Sequence, residues 1–267
     1  MAIVTANRLV MLTPGYAPPR EPDLSRLRPP LDNWPSRILD YRLAILRDGM
    51  RRRRFILATL IFSAALAAFT WIAATVGTGG ALAPMDTRID SWLHVHTVPS
   101  ITEVMTVISF PGAPSTLTVV SAASCLLLRQ RSHDRLVDLV TLMLGGNLLN
   151  YGLKLLIHRG RPTSQDPLLT LSSYSFPSGH AMASTVFYGF VMACVLTMKP
   201  SRHITVIAAG IVMIGLVCMS RVYLGVHYLS DVLAGILEAI TWSTLVLTGL
   251  HIARAYRRSA ESQRLPE

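Results

Sequence analysis

Residues 55–76 read FILATLIFSAALAAFTWIAATV, a run of 22 residues without a charged side chain. A helix needs roughly 20 apolar residues to cross the hydrocarbon core of a bilayer, so this run is long enough to span a membrane. It follows a leader of 54 residues and exceeds the apolar core of about 7–15 residues that is typical of a cleaved signal peptide. We therefore interpret it as a signal anchor.

The composition of the whole chain agrees with a membrane protein. Of the 267 residues, 51% are hydrophobic and 15% are charged, whereas soluble domains contain about 25% charged residues. The mean hydropathy is +0.43. These values argue against a soluble globular domain and against a disordered chain. The sequence has no internal repeat, which argues against a solenoid.

Five further apolar stretches follow the first span and predict additional membrane helices. They lie at about 114–128, Leu136–Ile157, His180–Met198, His203–Ser220 and His227–Ala253. The predicted fold is an all-α bundle of six transmembrane helices. Residues 55–253 would form this membrane domain, between an Arg-rich cytoplasmic arm (1–54) and a cytoplasmic tail (254–267).

The basic residues are distributed unevenly about these spans. In a six-span topology, 20 of the 25 Lys and Arg residues fall on one side, and 11 of those lie in residues 1–54. The positive-inside rule places this side, with both termini, in the cytoplasm. Most of the net charge of +10 is therefore an orientation signal. We expect the membrane to be the inner membrane of a bacterium.

The N-terminal arm allows three interpretations. Residues 13–35 are rich in Pro and Arg, as in a poorly ordered segment, and 34–48 repeat apolar residues at nearly helical spacing. The second segment suits a helix lying on an anionic membrane surface. The arginines at 51–54 alone suffice to orient the first span, and we favour that simpler role. Nucleic-acid binding is a weaker third interpretation, because no recognised fold or aromatic pattern accompanies the arginines.

Ionisable residues near the ends of spans are costly, so each is a candidate for function. A first cluster, KLLIHRGRP, places Lys154 and Arg161 at the end of the third span, seven residues apart. Two cations over one pocket suit a phosphate or another oxyanion, whereas snorkelling to the interface is the alternative. His158 and Arg159, which lie between them, are expected to be exposed loop residues.

The second cluster is Pro177-Ser178-Gly179-His180, at the start of the fourth span. Serine is a good N-cap, glycine lets a ligand approach the backbone, and a helix N-terminus attracts anions. His180 stands one residue further and carries a side chain that titrates near neutrality. The alternative is an ordinary helix cap beside an interfacial histidine.

The third cluster is SRVYLGVHYLSD, residues 220–231. It adds a third cation, Arg221, and places His227 and Asp231 four residues apart, on one face of a predicted helix. An aspartate there can accept the hydrogen of one imidazole nitrogen and leave the other free as a nucleophile. A simple ion pair at a helix start is the alternative.

The predicted topology brings all three clusters to the outer face, because the linkers between them cross the membrane twice or form one outer loop. Three cations, two histidines, an aspartate and a helix N-terminus suit phosphoryl transfer without a metal. The cations would neutralise the phosphate oxygens while one histidine attacks and the other protonates the leaving group.

The motifs K-x6-RP, PSGH and SR-x5-H-x3-D, all intact within residues 154–231, resemble the three signatures of the type 2 phosphatidic acid phosphatase superfamily. The resemblance implies a six-helix membrane phosphatase with an extracytoplasmic site and without a cofactor or metal. It implies His227 as the nucleophile that forms a phosphohistidine, Asp231 as its orienting partner and His180 as the general acid. The implied phosphate site consists of Lys154, Arg161, Ser178, Gly179 and Arg221.

The resemblance leaves the substrate open among membrane lipid phosphates, including phosphatidate, phosphatidylglycerophosphate, lipid A phosphates and undecaprenyl diphosphate. We expect the contacts that select the substrate to lie in the loop 163–176 and in grooves between spans. We expect no nucleic-acid partner, and the oligomeric state stays open. A phosphotransferase and a carrier that binds lipid phosphate without cleaving it are the alternatives. We interpret the further polar residues in the spans as interhelical hydrogen-bond partners: Asn147, Asn150 and Glu238. The three cysteines are interpreted as small apolar residues: Cys125, Cys194 and Cys218.

Overall fold

The computed structural model describes residues 34–118, 120, 121, 133–162, 173–198 and 200–262. The chain divides into two units, residues 1–52 and 53–267. The part of the arm at 13–33 lies outside the described residues, and residues 34–51 have a helical backbone.

The described part of the chain is helical and contains no strand. Its α-helices are α1 (Trp34–Gly77), α2 (Leu82–Val95), α3 (Pro99–Ser109), α4 (His133–Ile157), α5 (Gly179–Met198), α6 (His203–Tyr223) and α7 (Leu229–Ser262). A 3-10 turn, Phe110–Gly112, follows α3, and residues 114–118 are again helical. The all-α prediction is therefore confirmed.

Five segments of the described residues are long and apolar enough to cross a membrane. They are Arg52–Gly77, His133–Ile157, Gly179–Met198, His203–Tyr223 and Leu229–Arg257, which correspond to five of the six predicted spans. Most of the remaining predicted span, 114–128, lies outside the described residues. The membrane-spanning character of the chain is confirmed, and the count of six spans stays a prediction.

Helix α5 lies at the centre of the bundle, packed against α4, α6 and α7. Its Met182 and Val186 join Leu139 and Leu142 of α4 in a buried apolar core. Gly145 lets the Trp242 ring of α7 approach α4, because a Cβ there would lie 2.3 Å from the ring. Trp242 then donates its Nε1–H to the carbonyl oxygen of Leu142 at 3.0 Å, which satisfies its one polar atom.

Between the first two predicted spans, where no membrane helix is expected, the chain forms the helices α2 and α3. Helix α2 packs against α6 and α7, and α3 packs against α6. Helix α2 buries the Asp86 carboxylate and exposes the large apolar side chains of Trp92 and Val95. At 14 and 11 residues, both helices are shorter than the roughly 20 residues of a membrane span, so the apolar runs that predict spans do not indicate them.

Candidate active site

The loop after α4 is joined to residues 173–175 by hydrogen bonds, and this pairing positions two of the predicted cations. The backbone N–H of Ser175 donates to the carbonyl oxygen of Arg159 at 2.9 Å. Lys154 Nζ donates to the carbonyl oxygen of Tyr174 at 2.7 Å, and Arg161 Nε donates to that of Ser173 at 2.8 Å. Both cations therefore lie against the same short stretch of chain.

Arg161 also connects the first cluster to the third, because its Nη1 donates to the carbonyl oxygen of Val226 at 2.6 Å. Burial lowers the pKa of Arg161, and the carboxylate of Asp231 acts in the opposite direction. A partly desolvated guanidinium next to the His227 turn is suited to binding a phosphate oxygen, since charge-assisted hydrogen bonds strengthen away from water.

The Ser178 turn begins α5 and is buried. The Ser178 hydroxyl lies 3.5 Å from the backbone nitrogen of Ala181, which is a long N-cap contact. Next to it, a Cβ on Gly179 would lie 3.1 Å from Asn150 Oδ1. The absence of a side chain at Gly179 thus leaves the N-terminal turn of α5 in contact with α4.

Asn150 and Glu238 form the floor of this region. Asn150 Nδ2 donates to Glu238 Oε2 at 2.7 Å, which joins α4 to α7 as expected for an interhelical pair. The other oxygen, Glu238 Oε1, is buried and has no hydrogen-bond partner among the described residues. Asn147 Nδ2 lies 3.4 Å from Thr118 Oγ1, a second and weaker contact of the same kind.

A tight turn between α6 and α7 presents His227. Gly225 adopts φ +63°, a left-handed conformation that glycine accepts without strain. The backbone N–H of His227 then lies 3.3 Å from the carbonyl oxygen of Arg221. Because α7 begins at Leu229, His227 lies before the helix, and the prediction that it shares a helix face with Asp231 is wrong.

His227 and Asp231 are nevertheless neighbours. Their side chains are buried, 3% and 0% exposed, and His227 Nδ1 lies 3.6 Å from Asp231 Oδ2. That separation exceeds a hydrogen bond, and His227 Nδ1 has no partner among the described residues. Unliganded active sites often show such contacts longer than they are during the reaction.

Burial lowers the pKa of His227 to about 4, although the carboxylate of Asp231 opposes the shift. The imidazole is therefore neutral near pH 7. A neutral imidazole retains the lone pair that a nucleophile or a general base requires. The remaining predicted site residues belong to the same electrostatic cluster. His180 interacts there with Arg161, His227, Lys154 and Arg221, and Lys154 interacts with both arginines.

Arg221 forms a hydrogen bond with α3. Its Nη1 donates to Ser109 Oγ at 2.5 Å, and its buried Nε has no hydrogen-bond partner among the described residues. Sequence reasoning missed Ser109, which lies 112 positions away in a stretch without a recognisable motif. The Nε–H of Arg221 is thus a donor without a protein partner among the described residues, on a side chain that interacts electrostatically with His180 and His227.

Arg159 is not the exposed loop residue that we expected. Its side chain is only 12% exposed and contacts two buried carboxylates, those of Asp86 and Asp231. Its guanidinium carbon also lies 4.2 Å from the centre of the Tyr228 ring, in cation–π contact. The position of Arg159 within KLLIHRGRP was the available signal, but nothing in the sequence showed that Asp86 would reach the same place. His158 is exposed, as expected.

The structure therefore brings together every predicted site residue: Lys154, Arg161, Ser178, Gly179, His180, Arg221, His227 and Asp231. Among the described residues, no group of three or more His, Cys, Asp or Glu side chains could hold a metal ion. Most of the loop 163–176, where we expected selective contacts, lies outside the described residues.

The fold and the site define an all-helical integral membrane protein. The model of the PAP2 superfamily matches residues 135–254. Phosphatidylglycerophosphatase B of Bacillus subtilis (strain 168) is 40% identical over 144 residues, covering 51% of this chain and 69% of that protein. Sphingosine-1-phosphate phosphatase 2 of Homo sapiens is 35% identical over 78 residues, covering 29% of this chain and 19% of that protein.

One solved structure is also similar, the crystal structure of the first transmembrane PAP2 type phosphatidylglycerolphosphate phosphatase from Bacillus subtilis. It superposes with a TM-score of 0.63 at 32% identity, covering 70% of this chain and 94% of that one. The chain belongs to the PAP2 superfamily and is a membrane lipid phosphatase, a phosphoric ester hydrolase.

Proposed function

We propose that the chain hydrolyses a phosphomonoester of a membrane lipid through a phosphohistidine on His227. The observation that carries this proposal is the buried, neutral His227 beside Asp231, within a cluster of three cationic side chains. Burial and a neutral ring make the imidazole a competent nucleophile, and the cations supply the charge that a phosphate attracts.

In the first step, His227 Nε2 attacks phosphorus, because Nδ1 is the nitrogen that faces Asp231. The N–P bond forms as the bond to the lipid oxygen breaks, and the imidazolium of His180, which the negative charge of the bound phosphate stabilises, gives its proton to that oxygen. In the second step, His180 takes a proton from water, whose oxygen displaces His227. The products are the lipid alcohol and inorganic phosphate.

The phosphate would be held by Lys154, Arg161 and Arg221, helped by the Ser178 hydroxyl and the Gly179 N–H. Three cations and the N-terminal turn of α5 provide the charge neutralisation that a divalent cation supplies in other phosphatases. We therefore propose a reaction without a metal cofactor. Activity should survive a chelator, and loss of activity that added Mg²⁺ restores would contradict this part.

The names of the relatives support a lipid phosphomonoester as substrate. One is a phosphatidylglycerophosphatase and the other a sphingosine-1-phosphate phosphatase, and each name specifies a lipid with a terminal phosphate. We propose phosphatidylglycerophosphate as the first substrate, because the relative named for it is the one that this chain matches over 51% of its length.

The test is inorganic phosphate release by the purified protein in detergent across four substrates. These are phosphatidylglycerophosphate, phosphatidate, sphingosine-1-phosphate and undecaprenyl diphosphate. We expect the fastest release from phosphatidylglycerophosphate and none from the His227→Ala variant. A faster reaction with undecaprenyl diphosphate would overturn the monoester proposal, and transfer to an added alcohol without free phosphate would indicate a phosphotransferase.

We further propose that both termini are cytoplasmic and that the site faces outward across a bacterial inner membrane. The support is the excess of basic residues at one set of predicted helix ends. Fluorescent-protein fusions at the C-terminus should fluoresce when expressed in a bacterium. An impermeant thiol reagent should label a cysteine placed at exposed His158 from outside intact cells, and labelling only after lysis would contradict this orientation.

A further inference from the structure

We propose that Arg159 and Asp86 are positioning residues that hold the Asp231 carboxylate toward His227. The inference rests on the proposed function and extends it to two residues that the three motif patterns do not specify. Neither residue needs to contact the substrate.

The two oxygens of Asp231 have separate partners. Oδ1 accepts a hydrogen bond from Arg159 Nη1 at 2.5 Å, whereas Oδ2 accepts one from the backbone N–H of Tyr228 at 3.0 Å. Oδ2 is also the oxygen that lies 3.6 Å from His227 Nδ1. Arg159 therefore fixes the rotation of the carboxylate and keeps Oδ2 directed at the imidazole.

Asp86 fixes Arg159 in turn. Arg159 Nη2 donates to Asp86 Oδ2 at 2.7 Å, and Arg159 Nη1 donates to the hydroxyl of Ser230 at 2.7 Å. Asp86 Oδ1 accepts the backbone N–H of Ser230 at 3.1 Å, and its other oxygen accepts the Ser230 hydroxyl. With the Tyr228 ring stacked on one face, the guanidinium has little freedom to turn.

The charges in this network suit the reaction. Two buried carboxylates and one guanidinium carry a net charge of −1, beside an imidazole that is neutral before attack. When His227 Nε2 binds phosphorus, the ring becomes cationic, and the network stabilises that charge. Because Asp86 lies on α2, the inference also makes α2 part of the catalytic structure.

The test compares single-turnover phosphorylation and steady-state hydrolysis in four variants. Arg159→Gln and Asp86→Asn remove the two charges, Arg159→Lys keeps the charge but not the forked geometry, and Arg88→Gln is the control. Arg88 lies on the same helix as Asp86 and is exposed, so its replacement makes the same change in net charge as Arg159→Gln without touching the network.

We expect Arg159→Gln to lower kcat about 10–100-fold, by analogy with the loss found when the residue that orients a metal ligand is removed. KM should stay within about twofold, because the phosphate-binding cations are untouched. Asp86→Asn should lower kcat less, Arg159→Lys should recover part of the loss, and Arg88→Gln should behave as the wild type.

The single-turnover data separate positioning from simple loss of folded protein. With substrate and enzyme at equal concentrations above KM, a positioning role lowers the rate constant of lipid release and leaves the extent of that reaction near one per enzyme. A lower extent with an unchanged rate constant, or a raised KM with an unchanged kcat, would overturn the inference. If Arg159→Gln does not fold, Asp86→Asn and Arg159→Lys decide by the same rate constant.

The inference and the proposed function fail separately. Normal turnover by His227→Ala would remove the phosphohistidine and, with it, the role of Arg159. An inactive His227→Ala together with wild-type rate constants in Arg159→Gln and Asp86→Asn would leave the proposed function standing and overturn only the positioning role.

Discussion

The backbone N–H of Ser178 donates a hydrogen bond to the carbonyl oxygen of Asp231 at 2.9 Å. This contact joins the turn that begins α5 to the first turn of α7, so the phosphate-binding and nucleophile motifs form one rigid unit. Ser178 and Asp231 are both fully buried, and a backbone amide that is buried without a hydrogen bond costs free energy. The geometry of the site therefore depends on how closely α7 approaches the turn.

Gly235 permits that approach, and we predict that Gly235→Ala disrupts the site. A Cβ at Gly235 would lie 2.5 Å from the carbonyl oxygen of Ser178, so the helix must move away from the turn. Such overpacking typically costs about 1–3 kcal/mol of stability. We expect a lower thermal unfolding midpoint in detergent and a large loss of kcat, measured by phosphate release.

Gly249 provides the matched control for this prediction, because it lies on the same helix and a Cβ there would meet nothing within 4 Å. Alanine is favoured over glycine inside a helix by roughly 0.5–1 kcal/mol, so Gly249→Ala should retain activity and unfold at an equal or higher temperature. Equal losses in both variants would show that helix packing in general, and not the contact with Ser178, limits the site.

The two histidines should respond differently to the leaving group. Without the proton from His180, the release of a lipid alkoxide slows by about 10²–10⁴-fold, which is the usual contribution of a general acid. p-Nitrophenolate leaves without a proton. His180→Gln should therefore give a burst of p-nitrophenol near one per enzyme from p-nitrophenyl phosphate, followed by slow turnover as phosphohistidine accumulates.

Two comparisons complete this experiment. His227→Gln should show neither a burst nor turnover with either substrate, because it lacks the nucleophile. If His180→Gln loses the burst with p-nitrophenyl phosphate as fully as with the lipid, His180 does not act as the proton donor, and its role would be in binding.

The sequence predicted the helical membrane architecture because long apolar runs and the clusters of arginine between them are local features of the sequence. It also predicted that the three polar clusters meet, since helix ends on one face are close whatever the detailed packing. It did not reveal α2 and α3, because neither helix is long enough to appear as a membrane span, nor the roles of Ser109, Gly235 and Asp86. Those residues act through contacts more than 50 positions away in the sequence, and each carries no motif of its own.

The proton affinity of His227 yields a prediction about pH. Burial lowers its pKa to about 4, with Arg161 and Arg221 acting in the same direction and Asp231 against them. His180 also faces this ring. The neutral form thus persists well below pH 6.5, and protonation of His227 should not reduce phosphohistidine formation between pH 5 and 7. A histidine in an unfolded chain takes up a proton near pH 6.5, so this group also makes the folded state less stable as the pH falls from 6.5 toward 4.

The ¹⁵N resonances of labelled histidine in detergent-solubilised protein measure this value directly, with His227→Gln used to assign the signal. We expect a midpoint far below the ordinary histidine value. A midpoint at or above 6.5 would mean that Asp231 dominates over burial, and His227 would then be largely cationic at neutral pH and a poor nucleophile until it is deprotonated.

Ser109 should contribute to phosphate binding through Arg221 alone. Its hydroxyl holds Arg221 Nη1 at 2.5 Å and leaves the buried Nε as a donor without a partner among the described residues. Vanadate, which adopts the five-coordinate geometry of phosphorus during transfer, should inhibit the enzyme and raise its thermal midpoint. Ser109→Ala removes a hydrogen bond to a charged group, worth about 1.5–3 kcal/mol, and should weaken vanadate inhibition by roughly tenfold or more. Thr106 is an exposed position on the same helix, and Thr106→Ala should leave inhibition unchanged. Equal inhibition of the wild type and of Ser109→Ala would show that Arg221 keeps its position without the contact to α3.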